Sequence, residues 1–194
     1  MNETVSVTAR GRVLLFHKPK GAIVSRAGER GQKTVYDLLP PWVRDEEWVP
    51  VGRLDQDTRG LLLFVREGAL VESLTRPGAC EKVYEVSIRG RFTPEHQAAV
   101  LQGVESPVGV LRAKTVVALG MTGPKTHLRV TLDEGKNRHI RRMFAALRDP
   151  KRGTPLKVMD LKRLSIGPLE LDVPSGQWRF LKDEETERLL AALR

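Results

Sequence analysis

Gly52-Arg53-Leu54-Asp55-Gln56-Asp57-Thr58-Arg59-Gly60-Leu61-Leu62-Leu63-Phe64-Val65 passes from a polar, turn-prone stretch into a run with no polar side chain. A short apolar run bounded by turn residues is the pattern of a strand buried on both faces. Residues 60–65 are therefore expected near the middle of a sheet, with 54–59 as the turn that enters it. Asp55 then sits on a loop between buried elements. Asp is a common turn residue that bonds its own backbone, so its position alone requires no chemistry. Asp57, two residues on, suggests the paired carboxylates of a glycosidase, but neighbours at i and i+2 are not thereby placed across a sugar.

Working outward, Val13-Leu14-Leu15-Phe16 reads as a first buried strand, stopped at Lys18-Pro19-Lys20-Gly21. Residues 1–11 read as a flexible leader and 12–194 as a single domain. Thr34 is placed to cap a short helix ending at Pro40-Pro41. A helix is expected over 67–75, stopped at Pro77-Gly78, followed by an alternating strand at 82–88 in which Tyr84 and Val83 face opposite ways. Thr93-Pro94-Glu95 has the chemistry of a helix start. Strands are expected near 113–119, 126–132, 156–164, 169–171 and 178–181, with a last helix from Asp183. Ile140, Met143, Phe144 and Leu147 recur at the spacing of one buried face, which predicts a helix over 137–147. Interleaved helices and strands give an α+β fold with a largely antiparallel sheet.

The charge is informative. A net +9 over 194 residues, with a pI near 10, favours a polyanionic partner: nucleic acid first, an acidic membrane surface second. Between Asp133 and Arg163 ten Lys or Arg face four Asp or Glu, so this one segment carries +6 of the total. It reads either as a solvated basic surface or as a groove that tracks phosphates. No apolar run is long enough for a membrane span and no signal peptide is recognisable, so a cytoplasmic location is expected. Cys80 is the single cysteine, and the four histidines show no metal-ligand spacing. Glycine-rich nucleotide-binding patterns are missing too, so neither metal nor cofactor is expected. Taken singly, Tyr84 is a strand aromatic or a stacking surface for a base, and Arg141 a phosphate-binding arginine.

Five stretches taken together resemble one family, the pseudouridine synthases. Residues 52–63 look like its G-R-L-D-x-x-T-x-G-L-L motif. Phe16-His17-Lys18-Pro19-Lys20-Gly21 resembles its opening strand and turn, and Lys82-Val83-Tyr84 its K-x-Y strand. Glu134-Gly135-Lys136-Asn137-Arg138-His139-Ile140-Arg141-Arg142-Met143-Phe144 is similar to its basic helix, and Leu161 to Leu169 to its closing L-x-R-x-x-I-G segment. The R-R-M-F ending resembles the ribosomal branch that includes the small-subunit synthase A and the large-subunit synthases B, E and F. The short stretch before the first strand is like synthase E, which has no N-terminal RNA-binding domain. Two features depart from the pattern: His139 replaces the usual Gln, and the loop 148–155 is longer than usual.

The resemblance implies a mixed, largely antiparallel sheet with flanking helices and a central cleft between two lobes. It implies a cofactor-independent isomerase that converts a uridine of ribosomal RNA, of the 23S molecule, to pseudouridine, acting as a monomer. Asp55, Tyr84 and Arg141 are the implied catalytic set. Arg53, Leu161, Lys82, Arg138 and Arg142 are the implied substrate-binding residues. Asp55 acts as nucleophile or base at the ribose. Arg141 would keep that carboxylate ionised, and Tyr84 would stack on a flipped uracil with Leu161 beneath, Tyr84 being also a candidate to take the C5 proton. A non-catalytic ribosomal-RNA-binding or ribosome-assembly protein is the alternative that the charge alone allows.

Overall fold

The structure is a computed structural model that describes residues 12–29 and 31–193; the expected leader, 1–11, lies outside the described residues. Strand β1, Val13–Lys18, is buried at every position. The apolar run follows as β3, Arg59–Val65, buried from Gly60 onward and antiparallel to β1. Such a run needs cover on both faces. Leu14, Phe16, Leu62 and Phe64 enter one apolar cluster, and Val13, Leu15, Leu61 and Leu63 enter a second. Each such side chain contributes about 1.5–3 kcal/mol by leaving water.

The remaining elements build outward from this pair. Thr34 caps a 3-10 turn, Val35–Leu38, by accepting from the Asp37 N–H, so the expected helix there is a single tight turn. That turn ends before Pro40-Pro41 as expected, and Pro41 then opens a short helix, α1, Pro41–Asp45, as proline at a first helical position allows. Strand β2, Val49–Pro50, lies against β3, and α2 spans Gly68–Thr75. Strand β4 is Lys82–Arg89, α3 is Pro94–Gln102, β5 is Thr115–Thr122 and β6 is Lys125–Leu132. Helix α4 is His139–Ala145, β7 is Lys157–Ile166, β8 is Leu169–Glu170, β9 is Trp178–Phe180 and α5 is Asp183–Ala191.

The described strands form one sheet in the order β5-β6-β4-β7-β3-β1-β9, with β2 on β3 and β8 on β7. The α+β expectation is borne out. All pairings between these strands are antiparallel except one: β3 and β7 run parallel and meet only at Arg59 with Lys162 and Gly60 with Arg163. That seam joins the β4–β7 half of the sheet to the β1–β3 half. Gly60, at φ +118°, is what lets it close, because a Cβ there would lie 2.3 Å from the Arg163 carbonyl oxygen. Among the described residues, no helix is long and apolar enough to cross a membrane.

Candidate active site

The motif stretch crosses the sheet at the seam, and its turn is nailed down from three sides. The Thr58 N–H donates to the Asp55 carbonyl at 3.0 Å, closing the turn. The Gly21 N–H donates to the Gln56 carbonyl at 2.8 Å, and the Gln56 amide returns a bond to the Gly21 carbonyl at 3.1 Å. Beneath lies Lys18, which is 0% exposed. Its ammonium donates to the main-chain carbonyls of Thr58 at 2.8 Å, Asp55 and Pro19 at 3.1 Å, and Gln56 at 3.4 Å. Burial lowers the Lys18 pKa to about 8 despite the nearby charges of Asp57 and Asp55. The strand thus runs on through the lysine expected to stop it, because that lysine finds its partners inside.

From the other side comes α4. Arg138 precedes this helix in the left-handed conformation, φ 51° and ψ 34°, so the helix starts later than its apolar periodicity suggests. The twist brings the Arg138 guanidinium 3.7 Å from the Asp55 carboxylate. Arg141, one turn on, reaches the same loop. Its side chain is 12% exposed and lies 3.1 Å from the Asp57 carboxylate and 3.8 Å from that of Asp55. It also donates to the main-chain carbonyls of Asp57 at 3.2 Å and Val158 at 3.3 Å. Arg141 therefore binds Asp57 most closely and faces Asp55 with a buried Nε that has no hydrogen-bond partner.

Asp55 opens into a cleft between the two halves of the sheet. Val51, Leu74, Leu132, Ile140, Leu161 and Ile166 supply its apolar lining, and Tyr84 lies among them, 8% exposed. Arg53, Lys82, Lys136, Arg138, Arg141 and Arg163 add six cations, and Asp55 is the one carboxylate among the described lining residues. Asp57 is not part of the lining, so the cleft holds no acid pair of the glycosidase kind. Lys82 is tied by a 2.8 Å bond to the Cys80 carbonyl, and burial together with Arg163 lowers its pKa.

Seven of the eight residues expected at the site meet here: Asp55, Tyr84, Arg141, Arg53, Leu161, Lys82 and Arg138. Arg142 does not line the cleft; it leaves α4 on another side and donates to Asn137 Oδ1 at 3.0 Å. Two residues had been given no role. Lys18 carries the backbone of the Asp55 loop, and Arg163, 3% exposed, lies directly across from Tyr84 and donates to the Leu61 carbonyl at 2.7 Å. Arg163 is the arginine of the closing segment, so that motif held the signal. His139, at the departure from the usual pattern, is buried and bonded through Nε2 to the Arg112 carbonyl at 3.0 Å.

Known proteins resemble this chain over most of its length. The ribosomal large subunit pseudouridine synthase B of Vibrio vulnificus is 36% identical over 188 residues, 94% of this chain and 56% of that protein. The protein of the same name from Escherichia coli is 35% identical over 181 residues, 92% of this chain and 60% of its own length. The chain thus spans a little over half the length of these relatives. A solved structure described as a pseudouridylate synthase superposes with a TM-score of 0.76 at 28% identity, over 92% of this chain and 74% of that one. The family model for RNA pseudouridylate synthase matches residues 12–146, from β1 through α4 and across the Asp55 loop, and the chain belongs to that family.

Proposed function

We propose that this protein isomerises a uridine of ribosomal RNA, in the 23S molecule, to pseudouridine, with Asp55 as the catalytic carboxylate. The observation that carries this is the cleft: its described lining holds one acid, one tyrosine, an apolar surface and six cations. The reaction breaks the C1′–N1 bond and joins C1′ to C5 of the same uracil, which a single carboxylate acting at the ribose can serve. A uracil within folded RNA is out of reach, so the nucleotide is flipped into the cleft. Tyr84 stacks on the base, with Leu161 beneath, and Tyr84 is also our candidate to take the C5 proton. Arg141 holds the loop and favours ionised Asp55. Arg53, Lys82 and Arg138 take the phosphates entering the cleft, and Arg142 those passing outside it.

Residues 12–194 act as one catalytic domain, monomeric, in the cytoplasm where ribosomal RNA is matured. The names of the ribosomal relatives support the substrate class. To test the reading, ribosomal RNA from a strain lacking the protein is incubated with wild type and with Asp55→Asn, and pseudouridine is mapped. Wild type restores one or a few sites; Asp55→Asn binds the RNA and restores none. A fully active Asp55→Asn overturns the assignment.

A further inference from the structure

Cations outside the cleft are concentrated at the opposite end of the sheet. Arg89, the last residue of β4, stands directly across from Lys125 on β6 and Lys157 on β7. Three like charges side by side on one face disfavour folding. Farther along the same face Glu85 stands between Arg129 and Lys162, where the acid balances the bases. No acid does so at the Arg89 row.

The row continues into the loop after α4. Buried Asp149 accepts from the main-chain N–H groups of Arg91 at 2.8 Å, Lys151 at 3.0 Å and Arg152 at 2.9 Å. The bond from Arg91 is the largest influence holding its pKa below the ordinary carboxylate value. Gly90 permits this approach, since a Cβ there would lie 2.7 Å from the Asp149 carboxylate. With Asp149 occupied by backbone, the side chains of Arg91, Arg148, Lys151 and Arg152 stand exposed. Among the described residues, none of the seven cations forms an ion pair. Among the described residues, Glu95 is the one carboxylate lining the shallow recess between Arg91 and Lys151.

We propose that this sheet end is a second phosphate-binding surface, which grips a segment of folded RNA remote from the uridine in the cleft. The proposal rests on RNA being the substrate. Arg89 lies five residues beyond Tyr84, about 17 Å at about 3.3 Å per residue. That exceeds the Debye length of about 8 Å at physiological salt, so the row does not tune the cleft chemistry. Helix α4 connects the two regions, with Arg138 before its first residue and Arg148 shortly after its last. A backbone-clamped row of guanidinium and ammonium groups suits a polymer with a charge at every residue better than the scattered carboxylates of a protein.

The test measures affinity across a salt series for transcribed 23S ribosomal RNA and for a short uridine-containing hairpin too small to reach both surfaces. The full chain is compared with the triple variant R89Q/K151Q/R152Q, which leaves the main-chain bonds to Asp149 available, and with R44Q/R66Q/R188Q, which removes as much exposed charge elsewhere. On 23S RNA the first triple variant lowers the slope of log affinity against log salt by about three, about one per lost contact. Its affinity at physiological salt falls about tenfold or more. Hairpin binding and the control variant change little. Arg89→Gln alone lowers the slope by about one, which covers the case of a misfolded triple variant. An undiminished slope, equal losses on both RNAs or equal losses from the control overturn the proposal. Pseudouridine formation by wild type is read separately in the same mixtures, so failure of the proposed activity is distinguished from failure of the second surface.

Discussion

The Lys18 ammonium donates to the main-chain carbonyl of Asp55 at 3.1 Å rather than to its carboxylate. The buried cation therefore fixes where the acid stands and leaves its carboxylate to the cleft and to the guanidinium groups of Arg138 and Arg141. Burial lowers the Lys18 pKa to about 8. Below that value three N–H groups serve the four carbonyls; above it, two remain. Activity is expected to fall as pH rises through about 8, with kcat affected more than binding.

Stability moves the other way in that window. A folded-state pKa below the ordinary lysine value means that the unfolded chain binds more protons between the two, so the Lys18 contribution to stability grows as pH rises above about 8. Denaturant titration on either side of that pH checks the sign. Lys18→Met, which abolishes the titration and strands the carbonyls, is expected to cost about 1–3 kcal/mol and to flatten both profiles. Unchanged profiles in this variant assign the pH dependence to another group.

Arg141→Lys keeps a positive charge but cannot reproduce a guanidinium that spans the Asp57 carboxylate and the carbonyls of Asp57 and Val158. Losing that brace lets the Asp55 loop drift, and a displacement of about 1 Å costs about a hundredfold in rate. Single-turnover kinetics should show this loss, with RNA affinity reduced only a few times. A variant with wild-type turnover removes Arg141 from the positioning of Asp55.

These contacts mark what was legible in the sequence. Residues 60–65 read correctly as a buried strand because their apolarity is local and unbroken, and α4 read as a helix because its apolar face is periodic. Tyr84 and Asp55 were placed by motif and meet in the cleft. Lys18 was not legible as a brace: a lysine before Pro-Lys-Gly looks like a strand end, and three of its four partners lie 37 to 40 residues away. Arg138 carries no local mark of a left-handed backbone, since arginine is a poor candidate for it. The helical pattern likewise left open which side Arg142 takes, and it binds Asn137 outside the cleft.

Gly60→Ala tests the seam between the two halves of the sheet. The new methyl would meet the Arg163 main chain at 2.3–2.9 Å, and the φ of +118° is itself strained for any L side chain. A loss of at least about 2 kcal/mol in chemical denaturation is expected from strain and overpacking together. Activity should fall even under conditions where the variant stays folded, because Arg163 lines the cleft. A neutral substitution would show that the parallel pairing is dispensable.

Asp160 supplies the last test, on the acid side. Burial would raise its pKa, but bonds from Arg59 at 2.6 Å and Lys20 at 2.5 Å outweigh that and hold it at about 2. A folded pKa below the unfolded value means stability that is present above the ordinary carboxylate range and lost as pH falls from about 4 toward about 2. Solvent screening of the half-buried group reduces its contribution to about 1 kcal/mol. Asp160→Asn should remove that part of the acid transition and release Lys20, loosening the turn at Gly21 that holds Gln56. Denaturation profiles that fall in parallel for wild type and Asp160→Asn would assign the acid loss instead to the other carboxylates held low, Glu185 beside Arg179 and Asp149 beneath the main-chain N–H groups of its loop.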